Sequence, residues 1–325
     1  MPRILLPGSL LILLSLSASA SAWNGFGHRA VARIACLEMT DGQQKAIFEL
    51  LKHHPHFGTE FDLFSQERPA GASDVEWAIL QSGTWPDYVR TPKFTSLKAE
   101  QIKVHPRYKY HRKFDHYFDI AIVHSNFKGK PKLDNPGTML DALANAEKLL
   151  KDKGAALPDK AIAFCWLVHL VGDIHQPLHC SAFFSKEFPK GDAGGNLFLI
   201  GNTNLHSYWD GALGSESASF HHLEALSSDI HRAAHLQRSK LLELKQNLSY
   251  ESWAKESNAI AATVAYKDGK KFLKGANKEH QNDDGEFSIP AFPPTYKDDA
   301  KVIARRRVAL AGYRLADKIA GIFAN

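Results

Sequence analysis

The sequence predicts an all-α fold: a mainly α-helical single domain carrying one small β-hairpin. Three observations predict it. Apolar residues recur at helical spacing in segment after segment. A convincing strand pattern occurs in one place, residues 196–200 (NLFLI), followed by the turn pair Gly201-Asn202. No linker, low-complexity run or solenoid repeat divides the chain, and about 300 residues is close to the most that one core supports. The expected organisation is an export leader over 1–22 and one domain over 23–325.

The leader rests on its layout. Arg3 gives a positive start, residues 10–16 (LLILLSL) a short apolar stretch, and Ala20-Ser21-Ala22 the small-x-small pattern that signal peptidase reads. The apolar run is too short to span a bilayer, which takes about 20 residues. Cleavage after Ala22 would leave Trp23 as the first residue, in a secreted or periplasmic protein with no membrane attachment. Residues 27–39 (GHRAVARIACLEM) then read as a helix. So do 138–152, with Thr138 as cap and Asp141 completing a capping-box variant. Residues 158–175 (PDKAIAFCWLVHLVGDIH) open with Pro and Asp and are apolar nearly all round, which predicts a central buried helix. Further helices are expected over 205–213, 223–244, 252–272 and 298–323.

Composition narrows the class. Hydrophobic content of 44% is that of a globular protein, and the net charge of +5 suits a polyanionic partner without requiring one. Three cysteines are too few for a disulfide scaffold; they allow one bridge and one spare thiol. Cys36 and Cys165 sit on apolar helical stretches, where a small buried side chain is the usual role.

The chemistry lies in polar residues placed where the core should be. On the central helix His169 and Asp173 stand at i and i+4, on one face, among apolar neighbours. A buried carboxylate is costly unless paired or metal-bound. Pro177 then breaks the helix and His179 follows. His206 and Asp210 repeat the spacing. One such pair alone suits a core histidine held by a carboxylate; two pairs around a helix-break histidine favour a metal, with zinc-preferred ligand types. Asp87 follows Trp85-Pro86, with Arg90 three residues on. His116 lies in an aromatic segment between Asp115 and Asp119. His28 stands five residues after Trp23.

Together these motifs resemble the trinuclear-zinc, single-strand-specific nucleases of the S-one and P-one type, relatives of the zinc phospholipases C. The likeness runs from Trp23 to the last helix and implies the mainly helical fold that those enzymes share. It implies three Zn2+ ions. The first would be held by Asp87, His116, His169 and Asp173, and the second by His179, His206 and Asp210. The third would be held by the amine and carbonyl of Trp23, by His28 and by Asp173 as the bridge. A main-chain amine is a ligand only at a chain terminus, and its ordinary pKa of about 7.7 to 8.0 lets a metal displace the proton near neutrality. Asp87, Asp173 and Arg90 would be catalytic, with Arg90 at the scissile phosphate. Tyr117 or Phe118 would stack a base, Asp119 would accept its edge and Asn196 would line the cleft.

The resemblance implies a hydrolase that cuts single-stranded DNA and RNA to 5′-phosphorylated products, allows 3′-nucleotidase action on nucleotides, and fits a monomer. A zinc phospholipase C is the alternative enzyme; the His28 spacing and Asp210, where the lipases have Glu, lean against it. A non-catalytic zinc-stabilised binding protein would leave Arg90 and the aromatic platform unexplained. The basic stretch 98–113, with Tyr108 and Tyr110 interleaved, is either a solvated loop or a guide for a polyanion. His53, His54 and His56 read as solvated charges at a helix end, His175 as structural, and His105, His111 and His124 as lacking a nameable partner. The eukaryotic members' two disulfides cannot form from three cysteines.

Overall fold

A computed structural model describes residues 23–92, 95–267, 274–280 and 288–323. The leader and the end of the segment predicted as helix 252–272 lie outside the described residues. Twelve α-helices appear among them: α1 (Gly25–Glu38), α2 (Asp41–Leu51), α3 (Asp74–Ser82), α4 (Trp85–Tyr88), α5 (Ala99–Val104), α6 (Met139–Lys151), α7 (Leu157–Asp173), α8 (Leu205–Asp210), α9 (Phe220–Arg232), α10 (Glu243–Gln246), α11 (Tyr250–Ile260) and α12 (Tyr296–Ile322). The strands are short: β1 (Ala121–Val123), β2 (Ala182–Phe184), β3 (Phe198–Ile200), β4 (Thr203–Asn204) and β5 (Ala276–Asn277). The mainly α-helical expectation is met.

The central helix is α7. Residues 161–173 along it are all buried, because α1, α2, α3, α4, α6 and α12 all pack against it. Its apolar circumference is therefore matched by neighbours on every side. Two glycines permit close approach. A Cβ on Gly172 would lie 2.7 Å from the His28 ring, so α1 can bring its histidine against α7 only where α7 has no side chain. A Cβ on Gly312 of α12 would lie 2.4 Å from Ile34 of α1.

The end of α7 is fastened from the far side. Glu256 of α11 receives Arg307 at 2.9 Å and Arg314 at 2.6 Å, both from α12. Arg307 also donates to the His175 carbonyl at 3.1 Å, and Arg314 lies 2.8 Å from His175 Nε2. His175 is fully buried and structural, as its position suggested.

The hairpin is present: β3 and β4 pair antiparallel across Gly201-Asn202, and β5 joins the other edge of β3. Beyond it, β1 and β2 pair in parallel, Ala121 with Ala182, which the sequence did not announce. Several expectations need correction. The helix predicted over 223–244 is broken. The chain turns extended at Ala233 and again at Gln237, so that Leu236 and Leu241 reach the core and Arg238 reaches Glu38. The segment predicted over 252–272 leaves the α-helix after Ile260 through a wider turn, and Tyr266 caps it and bonds Asp192 at 2.6 Å. Thr138 stands at the N-cap of α6 as expected, but its side chain makes no capping bond; its hydroxyl donates to Asp115 at 2.7 Å. His54 and His56 are buried rather than solvated: Trp85 donates to His56 Nδ1 at 2.9 Å, and His56 Nε2 meets the Pro106 carbonyl at 2.8 Å. The three cysteines are free and buried, so the allowed bridge is not formed.

Candidate metal centre

Five local structures, with His116 from the segment before β1, deliver the polar residues to one place. Asn24 caps α1 by accepting from Gly27 N–H at 3.0 Å, and the first turn of α1 then carries His28. Pro86 starts the single turn of α4, which carries Asp87. Helix α7 carries His169 and Asp173. The turn after it is shaped by Gln176, whose Oε1 accepts from Leu178 N–H at 2.5 Å, and it presents His179. Asn204 caps α8 at 2.8 Å, setting His206 and Asp210 on its inner face.

The geometry is that of a metal cage. The ligating atoms fall into three groups, each lying within 4.8 Å of one another: His28, Asp87 and His169; His116, His169 and Asp173; His179, His206 and Asp210. Asp173 sits between the first two groups. Its Oδ1 lies 3.3 Å from His28 Nε2, and its Oδ2 lies 3.3 Å from His116 Nδ1 and 3.2 Å from His169 Nε2. His206 Nε2 and Asp210 Oδ2 are 3.6 Å apart.

Second partners fix which nitrogen is available. His169 Nδ1 donates to the Gly83 carbonyl at 2.8 Å, His179 Nδ1 to the His116 carbonyl at 2.5 Å, and His206 Nδ1 to the Gly194 carbonyl at 2.6 Å. Each bond leaves the opposite Nε2 with its lone pair aimed inward, the usual arrangement behind a metal-bound histidine. Gly194 has φ of 61°, and a Cβ there would sit 2.7 Å from the Leu178 carbonyl, so the contact to His206 needs glycine. Gln176 Nε2 donates to Asp210 Oδ1 at 2.7 Å.

The residues present fit a metal. Buried atoms without a hydrogen-bond partner include Nε2 of His28, His116, His179 and His206, with one oxygen each of Asp87 and Asp173. Such groups are normally satisfied. Burial, followed by the neighbouring His169, pushes the His28 pKa down; burial, followed by His179, pushes His206 to about 3. Burial also lowers His116 and His179. Neutral imidazoles are ready ligands. His169 is drawn the other way, as Asp173 and Asp87 outweigh its burial. Burial presses the Asp173 carboxyl upward, but His169, His116 and His28 together hold it well below the ordinary range. Asp210 is pushed well above it by burial, with Gln176 only partly offsetting. A divalent cation held there would supply the positive partner that Asp210 lacks.

Above these groups opens a cavity of about 680 Å³. Arg90, Tyr117, Asp119 and Asn196 line it, as do Lys113 and His111. Arg90 Nη1 lies 3.8 Å from Asp87 Oδ1. Both candidate rings pack on the core, and of the two Tyr117 also lines the cavity. Trp23 is fully buried, and the next residue, Asn24, donates its main-chain N–H to the Asp210 carbonyl at 3.1 Å, holding the chain beside the His206 group.

Sequence reasoning missed Gln176 and His111. Gln176 was hidden because nothing local shows that its amide crosses to Asp210. His111 had no partner until the fold brought Thr91 to it.

The S1/P1 Nuclease family pattern matches residues 23–324. Nuclease PA3 of Penicillium sp is 26% identical over 199 residues, which is 56% of this chain and 66% of that protein. Nuclease P1 of Penicillium citrinum is 25% identical over the same length and the same shares. Endonuclease 3 of Arabidopsis thaliana is 24% identical over 331 residues, 97% of this chain and 94% of the relative. The chain thus spans just under two thirds of the length of the two fungal relatives.

Proposed function

The chain belongs to the S1/P1 nuclease family, and from that premise we propose that it is an exported zinc-dependent endonuclease. It hydrolyses phosphodiester bonds of single-stranded DNA and RNA and leaves 5′-phosphorylated products. The observation that carries this reading is the set of three His/Asp groups at the base of a cavity whose wall holds Arg90 and Tyr117.

Three zinc ions are assigned to it. Asp87, His116, His169 and Asp173 would hold the first, and His179, His206 and Asp210 the second. The third would take the Trp23 amine and carbonyl, His28 and Asp173. The split approach of Asp173, one oxygen toward His28 and the other toward His116 and His169, supports the bridging role. When bound, these ions supply Lewis acidity to a water and to the departing oxygen.

The remaining work falls to side chains of this protein. Arg90 neutralises charge that grows on the phosphoryl oxygens. Tyr117 offers a face on which a base stacks, and a duplex hides its base faces, so single strands are preferred. Burial, then the nearby Asp192, pushes Asp119 up to about 8. Its carboxyl lines the cavity beside Tyr117 and accepts from a base edge. Among the described residues no helix is long and apolar enough to cross a membrane, which suits a chain released after removal of its leader.

The test incubates the purified mature protein with denatured DNA, RNA and phosphatidylcholine, with and without a chelator, and counts zinc by plasma mass spectrometry. Chelator-sensitive cleavage of both nucleic acids with about three zinc ions per chain is expected. Hydrolysis of lipid alone, or metal-free cleavage, would overturn it.

A further inference from the structure

We propose that His111 donates a hydrogen bond from Nε2 to a non-bridging oxygen of the phosphoryl group held beside Arg90. The inference rests on the nuclease reading and adds a substrate contact to it.

His111 follows the short turn Tyr108–Tyr110 and lines the cavity with Arg90, Lys113 and His116. Its ring centre lies 6.4 Å from that of His116, one ring away from the zinc ligands. The main-chain N–H of Thr91 points at His111 Nδ1 from 3.3 Å. A main-chain amide can only donate, so Nδ1 holds a lone pair there, and the Thr91 hydroxyl, 3.3 Å from the same nitrogen, can donate to it as well. In the neutral imidazole the proton is therefore on Nε2. The amide that makes this choice belongs to the peptide joining Arg90 to Thr91, so the orientation of His111 is tied to the residue that faces the phosphate.

His111 Nε2 is a buried atom with no hydrogen-bond partner among the described residues. Most of the other inward-facing imidazole nitrogens in that condition are explained by a metal: His28, His116, His179 and His206 belong to the three His/Asp groups. His111 belongs to none of them. A nitrogen that carries a proton cannot ligate, and what it lacks is an acceptor. With Arg90 and Lys113 on the same wall, the acceptor that the cavity favours is anionic. A phosphoryl oxygen is anionic and accepts only. The neutral ring contributes a directed bond to it, where Arg90 and Lys113 contribute charge.

The experiment uses the full mature chain loaded with zinc, as wild type, His111→Ala and His111→Gln. It measures zinc content, melting temperature, kinetics on denatured DNA, and competition by inorganic phosphate and by uncharged adenosine. In His111→Ala, phosphate inhibition should weaken about 10-fold, near 1.4 kcal/mol, and kcat/KM should fall 10- to 100-fold. Zinc content, melting temperature and adenosine inhibition should hold, and His111→Gln, which keeps an amide donor, should recover part of the loss. Unchanged phosphate inhibition, loss of zinc, or an equal loss of adenosine binding would overturn the assignment. A wild type that leaves DNA and RNA intact would sink the nuclease reading itself; an active wild type with an indifferent His111→Ala sinks this inference alone.

Discussion

His179 donates its Nδ1 proton to the main-chain carbonyl of His116 across 2.5 Å. Phe118 N–H returns a bond to the His179 carbonyl at 2.9 Å. Two residues assigned to different zinc ions therefore share one mechanical joint. His179→Ala should release the second zinc and loosen the first, so zinc content falls by more than one ion per chain. Loss of a single ion, by plasma mass spectrometry, would show that the two positions are independent.

The Trp23 amine is a ligand only if it is the chain terminus. A mature form with one added Met before Trp23 should lose one zinc and at least 100-fold in kcat, with its melting temperature nearly unchanged because the indole stays buried. Full activity with a full metal count would end this assignment.

Arg90 faces the cavity with its guanidinium 3.8 Å from Asp87. Arg90→Ala should lower kcat by about 10²- to 10³-fold, the usual loss when one preorganised donor to a developing charge is removed. Zinc content should be unaffected. Arg90→Lys should recover little, because a point charge does not replace a planar fork. Comparable losses in KM alone would assign the residue to ground-state binding.

Glu256 supports the site from behind. Burial opposes its charge, but Arg314 and Arg307 hold its carboxyl below the ordinary value of 4.5. A carboxylate lowered in this way stabilises the fold fully above its unfolded pKa, and that stability is lost as pH falls through the folded pKa. Glu256→Gln should therefore cost about 3 kcal/mol or more at pH 7, with two buried guanidinium groups left uncompensated. The gap from wild type should narrow as pH drops below about 4. Denaturant unfolding at pH 7 and pH 3.5 checks it; a gap independent of pH would contradict the sign.

Much of this was legible in the chain. The i, i+4 pairs His169/Asp173 and His206/Asp210 are local, so helical geometry alone puts each pair on one face. The apolar circumference of α7 announced a central helix for the same reason. What was hidden depends on distant partners. The β1–β2 pair joins residues some sixty positions apart, and three-residue strands carry too little alternation to read. His54 and His56 look like surface charges until the fold buries both, Trp85 and Pro106 bonding His56 and the His56 N–H donating to His54. The break after α9 follows from where Leu236 and Leu241 find cover, which periodicity does not record.

Order of synthesis runs against order of assembly here. His28, Asp87 and Asp173 leave the ribosome well before α12, yet the end of α7 is fastened by Arg307 and Arg314, and α1 is pressed into place by the face of α12 around Gly312. On this architecture the cage should close only when the last helix has been made. A nascent or truncated chain would carry every residue assigned to zinc and should still be unable to cut.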